Sequence, residues 1–434
     1  MTAPATNVVL NPSIIAKAAV RILDNELVMA NRVYRGYEDE FGKKVNGYDI
    51  GDTITIRKPN QFTVRNTITA TTGGQDTVEG KLTMQVNLVR GVDFSFTSQQ
   101  LTLNITELAD RVIKPAMVQL ANAIDTAVMA EFYRIPNWVG MPNGALGVET
   151  AIGSFAAFAK GAERLDQGSV PQDDRSAVLS PESNWALAGS QTALFLQSVG
   201  QPAYRTGEIG MIGGVSTYMS QNVPTWTRGT ATGAAPLING AAQNVTYATV
   251  LNTESVPGTQ SLITDAWTIS STITKGTVFT IAGVFAVNQI TKAVLPFLQH
   301  FTVLADASSD GTGNATLTIS PAIITTGAFQ SVSAAPADNA AILIAGTVGA
   351  PSGSYRQNMM FHKNAFALAV VPMIKPPGAV DVARETYKGI SVRLIPYYDG
   401  LNDVSQWRCD VLFAVKTVDP RLAVRISGVS TSLS

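Results

Sequence analysis

The chain has 434 residues, only 15% of them charged, with a formal net charge of −1. A near-neutral chain has no long electrostatic reach toward nucleic acid or an anionic membrane. One cysteine and two histidines exclude a disulfide framework and a Cys/His zinc site.

The length allows two to four domains with ample apolar material for a core. Residues 1–13, MTAPATNVVLNPS, carry neither the basic stretch nor the apolar run of a secretory signal. The longest apolar run, 365–374, is broken by Pro372 and falls well short of the ~20 residues of a membrane helix. The expectation is a soluble chain, cytoplasmic when made.

Residues 1–10 read as a loose arm. Asn11-Pro12-Ser13 then opens an amphipathic helix to about Asn31, with Ile14, Ala18, Ile22 and Val28 on one face and Leu23 and Leu27 widening it. From Gly51 to Thr97 the period changes to two. Ile54 and Ile56 alternate with Thr53, Thr55 and Arg57; Pro59-Asn60 interrupts, and Phe62 and Val64 resume. A return strand places Met84, Val86, Leu88, Val92, Phe94 and Phe96 on one face, Arg90 excepted, and predicts an extended run of roughly 40 Å. Gly73-Gly74-Gln75-Asp76 marks the turn between the two arms. Such a ribbon cannot bury both faces against its own domain, so its use is to lie on a neighbour.

Asn104 to Tyr133 carries apolar residues at three- and four-residue steps: Ile105, Leu108, Val112, Ala116, Leu120, Ala123, Ala127 and Val128. Asn104 and Glu107 form a capping-box pattern, and Pro115 either kinks the run or opens a second helix. Thirty helical residues would span about 45 Å. A compact α/β stretch follows: a helix from Phe155 to near Gly168, a strand from Ser176 to Leu179, a helix from Ser180, and a strand from Val215 to Ser220. Helical periodicity then vanishes until about Gly353. Strands are expected at 244–251, 266–272, 278–287, 301–305, 315–319 and 341–345, which reads as an inserted β-barrel or sandwich. Mixed strands close the chain, with Trp407, Cys409, Val411, Phe413 and Val415 sharing a face.

No residue set here demands chemistry. Cys409 sits on an apolar strand face, where a thiol is structural. His300 and His362 are isolated, and Asp173-Asp174 is a carboxylate pair in a loop. Asp306-Ala-Ser308-Ser-Asp310-Gly311 imitates the start of a calcium loop, but the position of the bidentate Glu is held by Leu317, so a hairpin tip is the better reading. Gly210-Met-Ile-Gly213-Gly214 lacks the spacing of a dinucleotide site. Sequons at Asn104, Asn244 and Asn314 are moot without a secretion signal. No cofactor and no metal is expected.

The order of elements resembles the major capsid proteins of tailed bacteriophages, the Hong Kong-97 fold. Three local stretches carry the likeness. Lys114-Pro115-Ala116 with 120–125 (LANAID) resembles the spine helix. Val170-Pro171 with 174–181 (DRSAVLSP) resembles the start of the axial domain. Cys409 to Lys416 with Pro420 and 423–426 (AVRI) resembles the closing strands, although Ala414 stands where family members often have Gly. Residues 274–288 (TKGTVFTIAGVFAVN), and 301–303 leading through Asp306 and Gly311 to 317–322 (LTISPA), are similar to the inserted I-domain of coat proteins from short-tailed Salmonella phages.

The resemblance covers about residues 11–428 and implies an α+β capsid fold. Its parts would be an N-terminal arm and helix (1–50), an extended E-loop ribbon (51–98), a spine helix (99–136), a first axial part (137–222), an inserted six-stranded barrel (223–352) and a closing part (353–434). It implies a shell of hexamers and pentamers around double-stranded DNA, a scaffolding protein and a portal as assembly partners, and residence in the virion after assembly in the host cytoplasm. Candidate contacts between copies are Gly73, Gly74, Gln75 and Asp76 at the ribbon tip and Asp306 and Asp310 on the barrel, with Thr230 to Gln243 a further loop of interest. An encapsulin-like compartment shell shares the fold, and a β-rich adhesive or polysaccharide-binding protein is the alternative of a different class.

Overall fold

One strand organises the frame. The computed structural model describes residues 12–37, 44–45, 48–49, 51–65, 68, 75, 77–97, 112–140, 151–192, 210–231, 236–345, 354–376 and 382–427. Within it, Val404–Thr417 is rich in the β-branched and aromatic residues that fit a pleated, half-buried surface. Leu88–Thr97 pairs antiparallel along one edge of its first ten residues. Ile390–Asp399 and then Phe366–Val371 pair along the other, and Ala383–Tyr387 completes a five-stranded sheet.

The two faces of this sheet differ in side-chain size. On one, Phe366, Leu368, Val370, Val392, Leu394, Cys409, Val411 and Phe413 pack against the N-terminal helix, Pro12–Glu26, and the long helix, Lys114–Met129. On the other, Ala367, Ala369 and Ala414 are fully buried under Ile54, Ile56, Leu82 and Met84. Those four come from the antiparallel pair Thr53–Arg57 and Lys81–Gln85.

Several sequence expectations are corrected here. The extended return strand is two strands: pairing with the ribbon ends at Gln85, and after Val86-Asn87 the chain joins the five-stranded sheet. Alternation persists across the break, so the pattern alone could not reveal the change of partner. The long helix is 16 residues over the described span, about 24 Å. Pro115 sits in its first turn, where a missing N–H costs no intrahelical bond, and a 3₁₀ turn, Ala130–Arg134, extends it. Asn104 and Glu107 lie outside the described residues. The N-terminal helix stops at Glu26 rather than near Asn31, because the Val28 and Ala30 N–H groups donate to the Asp125 carboxylate of the long helix at 2.7 and 2.9 Å.

The α/β body is a seven-stranded sheet in which Trp138–Gly140, Ala423–Ser427, Ser354–His362, Arg175–Leu179, Val215–Met219 and Met211–Ile212 lie in that order, with Thr225–Thr227 on the free end of Ser354–His362. The helix Phe155–Gln167 covers it, its first turn capped by Ser154, whose Oγ accepts from the Ala157 N–H at 3.2 Å. Gly161 permits the close approach: a Cβ there would stand 2.6 Å from Ile426 Cδ1.

Between Thr227 and Ser354 the chain builds a second body. Leu237–Ile238, Gln260–Asp265, Ala315–Ser320, Phe301–Val303, Val278–Ile281 and Ile342–Ile344 form a six-stranded antiparallel sheet. A bridge between Leu237 and Ala341 joins the two edge strands, with Ile342 N donating to Pro236 O at 2.8 Å, so the sheet closes into a barrel. Ile238, Leu262, Phe279, Phe301, Leu317 and Ile342 fill it. The segments that enter and leave are paired with each other, Thr225 to Arg356 and Thr227 to Ser354, and make a two-stranded stem.

Three further expectations fail inside the barrel. Residues 244–251 hold a short helix, Tyr247–Val250, instead of a strand. Residues 266–272 are mostly loop. The expected strand at 278–287 is broken by Gly283 at φ +78°, giving Val278–Ile281 and Phe285–Val287.

Candidate assembly surfaces

The alternation that forms the ribbon root runs two residues beyond its last isoleucine. Ile54 and Ile56 face inward, and so does Lys58, which is 3% exposed. Its ammonium donates to Thr253 O of the barrel at 2.8 Å, and its backbone N–H donates to Gly80 O across the ribbon at 2.8 Å. Burial and the nearby Arg421 guanidinium push its pKa down to about 8, with Asp419 pulling the other way. Gln61, with its amide turned to satisfy both ends, donates to Ala328 O at 2.8 Å and accepts from Arg421 Nη1 at 3.1 Å. Arg421 is held in turn by Asp419, at 2.9 Å (Nε) and 2.7 Å (Nη2).

Beyond the root the ribbon changes character. Phe62 is more than half exposed, and Val64 and Ile68 stand almost wholly in solvent. The Gln75 amide accepts from Thr63 N at 2.8 Å and donates to Thr63 O at 2.5 Å, so it pairs with the other arm of the ribbon as a peptide group would, although that arm, expected to resume as a strand at Phe62 and Val64, is irregular beyond Arg57. Gln75 is thus engaged with its own ribbon; Gly73, Gly74 and Asp76 lie outside the described residues. A cleft of about 340 Å³ opens beside this segment, lined by Gln61, Thr63, Gln75, Val78 and the stacked Tyr247–Phe329 pair.

The two barrel aspartates hold turns. Asp306 accepts from Lys275 N at 2.6 Å. Asp310 accepts from the N–H groups of Thr312 and Asn314 at 2.8 and 2.9 Å and from the Thr312 hydroxyl at 2.7 Å. Those bonds favour the charged carboxylate and lower its pKa to about 2.

Where barrel meets frame, the buried contacts are aromatic and cationic. Trp138, Trp226, Tyr355 and Val278 form a small cluster. Arg425, 1% exposed, donates to Gly276 O at 2.9 Å and to the Thr302 hydroxyl at 3.3 Å, and lies over the Phe132 ring. Burial pushes its pKa down to about 9. His300 accepts from Trp138 N at 3.2 Å, and Arg164 lies beside it, stacked on Phe297. His300 and His362 therefore serve as hydrogen-bonding parts of the fold, the latter accepting from Asn364 N at 3.3 Å. Cys409 is buried in the main core, which pushes its thiol up to about 12. Among the described residues no three His, Cys, Asp or Glu side chains gather as a metal site.

Sequence reasoning missed Lys58, Asp125, Glu254 and Arg425. A signal existed for two of them. Lys58 continues the buried phase of Ile54 and Ile56, and Arg425 sits in the middle of a strand buried at every position.

Among the described residues, the ribbon, the closed barrel and the cationic junctions offer surfaces and bring together no metal-binding cluster. The model of the P22 coat protein family (gene protein 5) matches residues 4–428. The chain belongs to the P22 coat protein family. It is a structural subunit that assembles with copies of itself into a phage capsid, a component of the virion and not an enzyme. The chain is 25% identical over 391 residues to the major capsid protein of Acyrthosiphon pisum secondary endosymbiont phage 1, spanning 87% of this coat protein and 89% of that relative. Among solved structures it is similar to one from Mycobacterium phage Che8 (TM-score 0.46, 13% identity, 92% and 90% of the two chains). The capsid of Ralstonia phage GP4 gives a TM-score of 0.45 at 8% identity over 88% and 85%.

Proposed function

We propose that this coat protein is built on the Hong Kong-97 plan with an inserted I-domain, and that its ribbon is the arm by which one copy holds the next. The observation that carries this is the contrast along residues 53–85. The root is sealed against the subunit's own alanine face, whereas Phe62 is more than half exposed and Val64 and Ile68 stand almost wholly in solvent. Apolar side chains left open on an extended element mark a contact to be made, and the partner with a matching copy number is the chain itself.

In this reading residues 51–98 are the E-loop, 99–136 the spine helix, 137–222 and 353–434 the axial and peripheral parts, 223–352 the I-domain and 1–50 the N-terminal arm. Gly73, Gly74, Gln75 and Asp76 touch a neighbour, and so do the loops shaped by Asp306 and Asp310. Hexamers and pentamers of one chain then close an icosahedral shell around double-stranded DNA, assembled in the host cytoplasm with a scaffolding protein and a portal. The low charge suits this use, because large subunit faces are covered without desolvating many unpaired charges. Weak contacts suffice, since closure multiplies them through effective concentration.

The test changes the tip and leaves the root alone. A Gln75→Lys, Asp76→Lys variant is expected to stay soluble and melt with the parent, yet to form fewer or malformed particles by sedimentation. Normal assembly, or a melt far below the parent, overturns the arm reading.

A further inference from the structure

The ribbon root is held by more than the alanine face beneath it. One loop of the barrel, residues 247–258, touches the root at three points. Thr253 O accepts from Lys58 Nζ. Leu251 O and the Tyr247 hydroxyl crowd Gly80 so closely that a Cβ there would stand 2.2 and 2.9 Å from them. Beside the loop, Ala328 O accepts from the Gln61 amide.

The same loop is fastened to the frame by its next residue. Glu254 accepts from Arg134 Nη1 at 2.6 Å and from Lys416 Nζ at 3.2 Å. Arg134 also pairs with Glu131 at 2.8 Å, and Glu131 accepts from the Thr417 hydroxyl at 2.9 Å. The end of the long helix, the central strand and the barrel loop thus share one network. The loop is internally stiff: the Thr253 hydroxyl donates to Val250 O at 2.6 Å and accepts from Thr259 N at 2.8 Å. Gly258 lies against Val250 with no room for a side chain.

We propose that the 247–258 loop is the seat on which the ribbon pivots, so that the inserted barrel fixes the angle at which the arm leaves its subunit. The root strands alone could not do this. Their exposed cross-strand ion pair, Arg57–Glu79, is open to solvent on both sides and contributes little. Lys58 is different, because its charge is desolvated and its carbonyl partner comes from another body. Asp419 and Arg421, the charged groups facing it, belong to the frame. Three parts of the molecule therefore meet at one ammonium. The role assigned to the seat rests on the ribbon being the intersubunit arm.

The experiment uses the full chain, with two variants. Lys58→Met removes the donor to Thr253 O while keeping the stem; Glu254→Gln leaves Lys58 intact and weakens the tie between loop and frame. In the unassembled chain, hydrogen–deuterium exchange at residues 58–61 and 77–80 is expected to rise about tenfold in both variants, the scale of one lost charged hydrogen bond, with the barrel strand Ala315–Ser320 unchanged. Particles assembled from either variant are expected to spread in diameter by electron microscopy. Unchanged exchange at the root in both variants overturns the seat. Faster exchange with particles of parental diameter leaves the seat in place and overturns the ribbon's role as the arm. Glu254 is exposed, so its variant carries the test should Lys58→Met fail to fold.

Discussion

Ala414→Leu probes the alanine face directly. Ala414, on the central strand, is fully buried beneath the ribbon root, beside Ala367 and Ala369 and under Ile54, Ile56, Leu82 and Met84. Leucine adds three carbons where the four ribbon side chains already fill the space. Overpacking of this kind costs typically 1–3 kcal/mol. The strain has an obvious outlet, because the root is a two-stranded element whereas the central strand is paired along both edges. The ribbon should therefore lift while the frame stays folded. The expected result is a melting temperature lower by a few degrees together with much faster tryptic cleavage at Arg57 and Lys81, which lie in the root. Ala414→Gly should cost less, about 0.5–1 kcal/mol from chain flexibility, and leave cleavage near the parent's rate. If Ala414→Leu melts with the parent and resists trypsin equally, the alanine face is not what seats the ribbon.

Leu120→Ala, in the long helix at 1% exposure, should open a cavity in the main core and cost about 2–5 kcal/mol, read as a large fall in melting temperature or as insoluble chain at normal growth temperature. Cys409 should react with a thiol reagent only as the chain unfolds, because burial holds its pKa near 12; reaction in the folded subunit would contradict its place in the core. Lys58 and Lys292 both have folded-state pKa values of about 8, below the ordinary 10.5 of the unfolded chain. Between those values the unfolded state binds more protons, so their contribution makes stability rise with pH from about 8 toward 10.5. Lys58→Met should flatten that slope in denaturant titrations at successive pH values, and an unchanged slope would refute the lowered value.

Period-based reading worked where one face is apolar and the other is not. Trp407, Cys409, Val411, Phe413 and Val415 do line one core, and the helices around Leu23, Leu120 and Phe158 were legible for the same reason. It failed where buried positions carry polar side chains. The strand Gln260–Asp265 went unseen because two of its three buried positions are Gln260 and Thr264. Gln260 Oε1 accepts from Ile323 N, and the Thr264 hydroxyl donates to Ala315 O and accepts from nearby Trp267 Nε1, so their burial is satisfied largely by partners more than 50 positions along the chain. Pairing was equally hidden, since alternation continues through Val86-Asn87 while the partner strand changes. Of the candidate contacts, the turn-forming character of Asp310 was legible; the seating of Lys58 was not, because it depends on a carbonyl 195 positions away.

The paired stem of the barrel has a consequence for engineering. Its two strands leave the frame side by side, at Thr227 and Ser354, so a foreign module whose ends lie one strand spacing apart could replace the barrel without rerouting the frame. A graft of that kind would expose the particle to a chosen enzyme or antigen at every subunit position. It would also strip Arg425 of Gly276 O and Thr302, leaving a guanidinium in an apolar seam with nothing to donate to. The guest must bring a carbonyl to that point, or the host must carry Arg425→Met, before the junction will close.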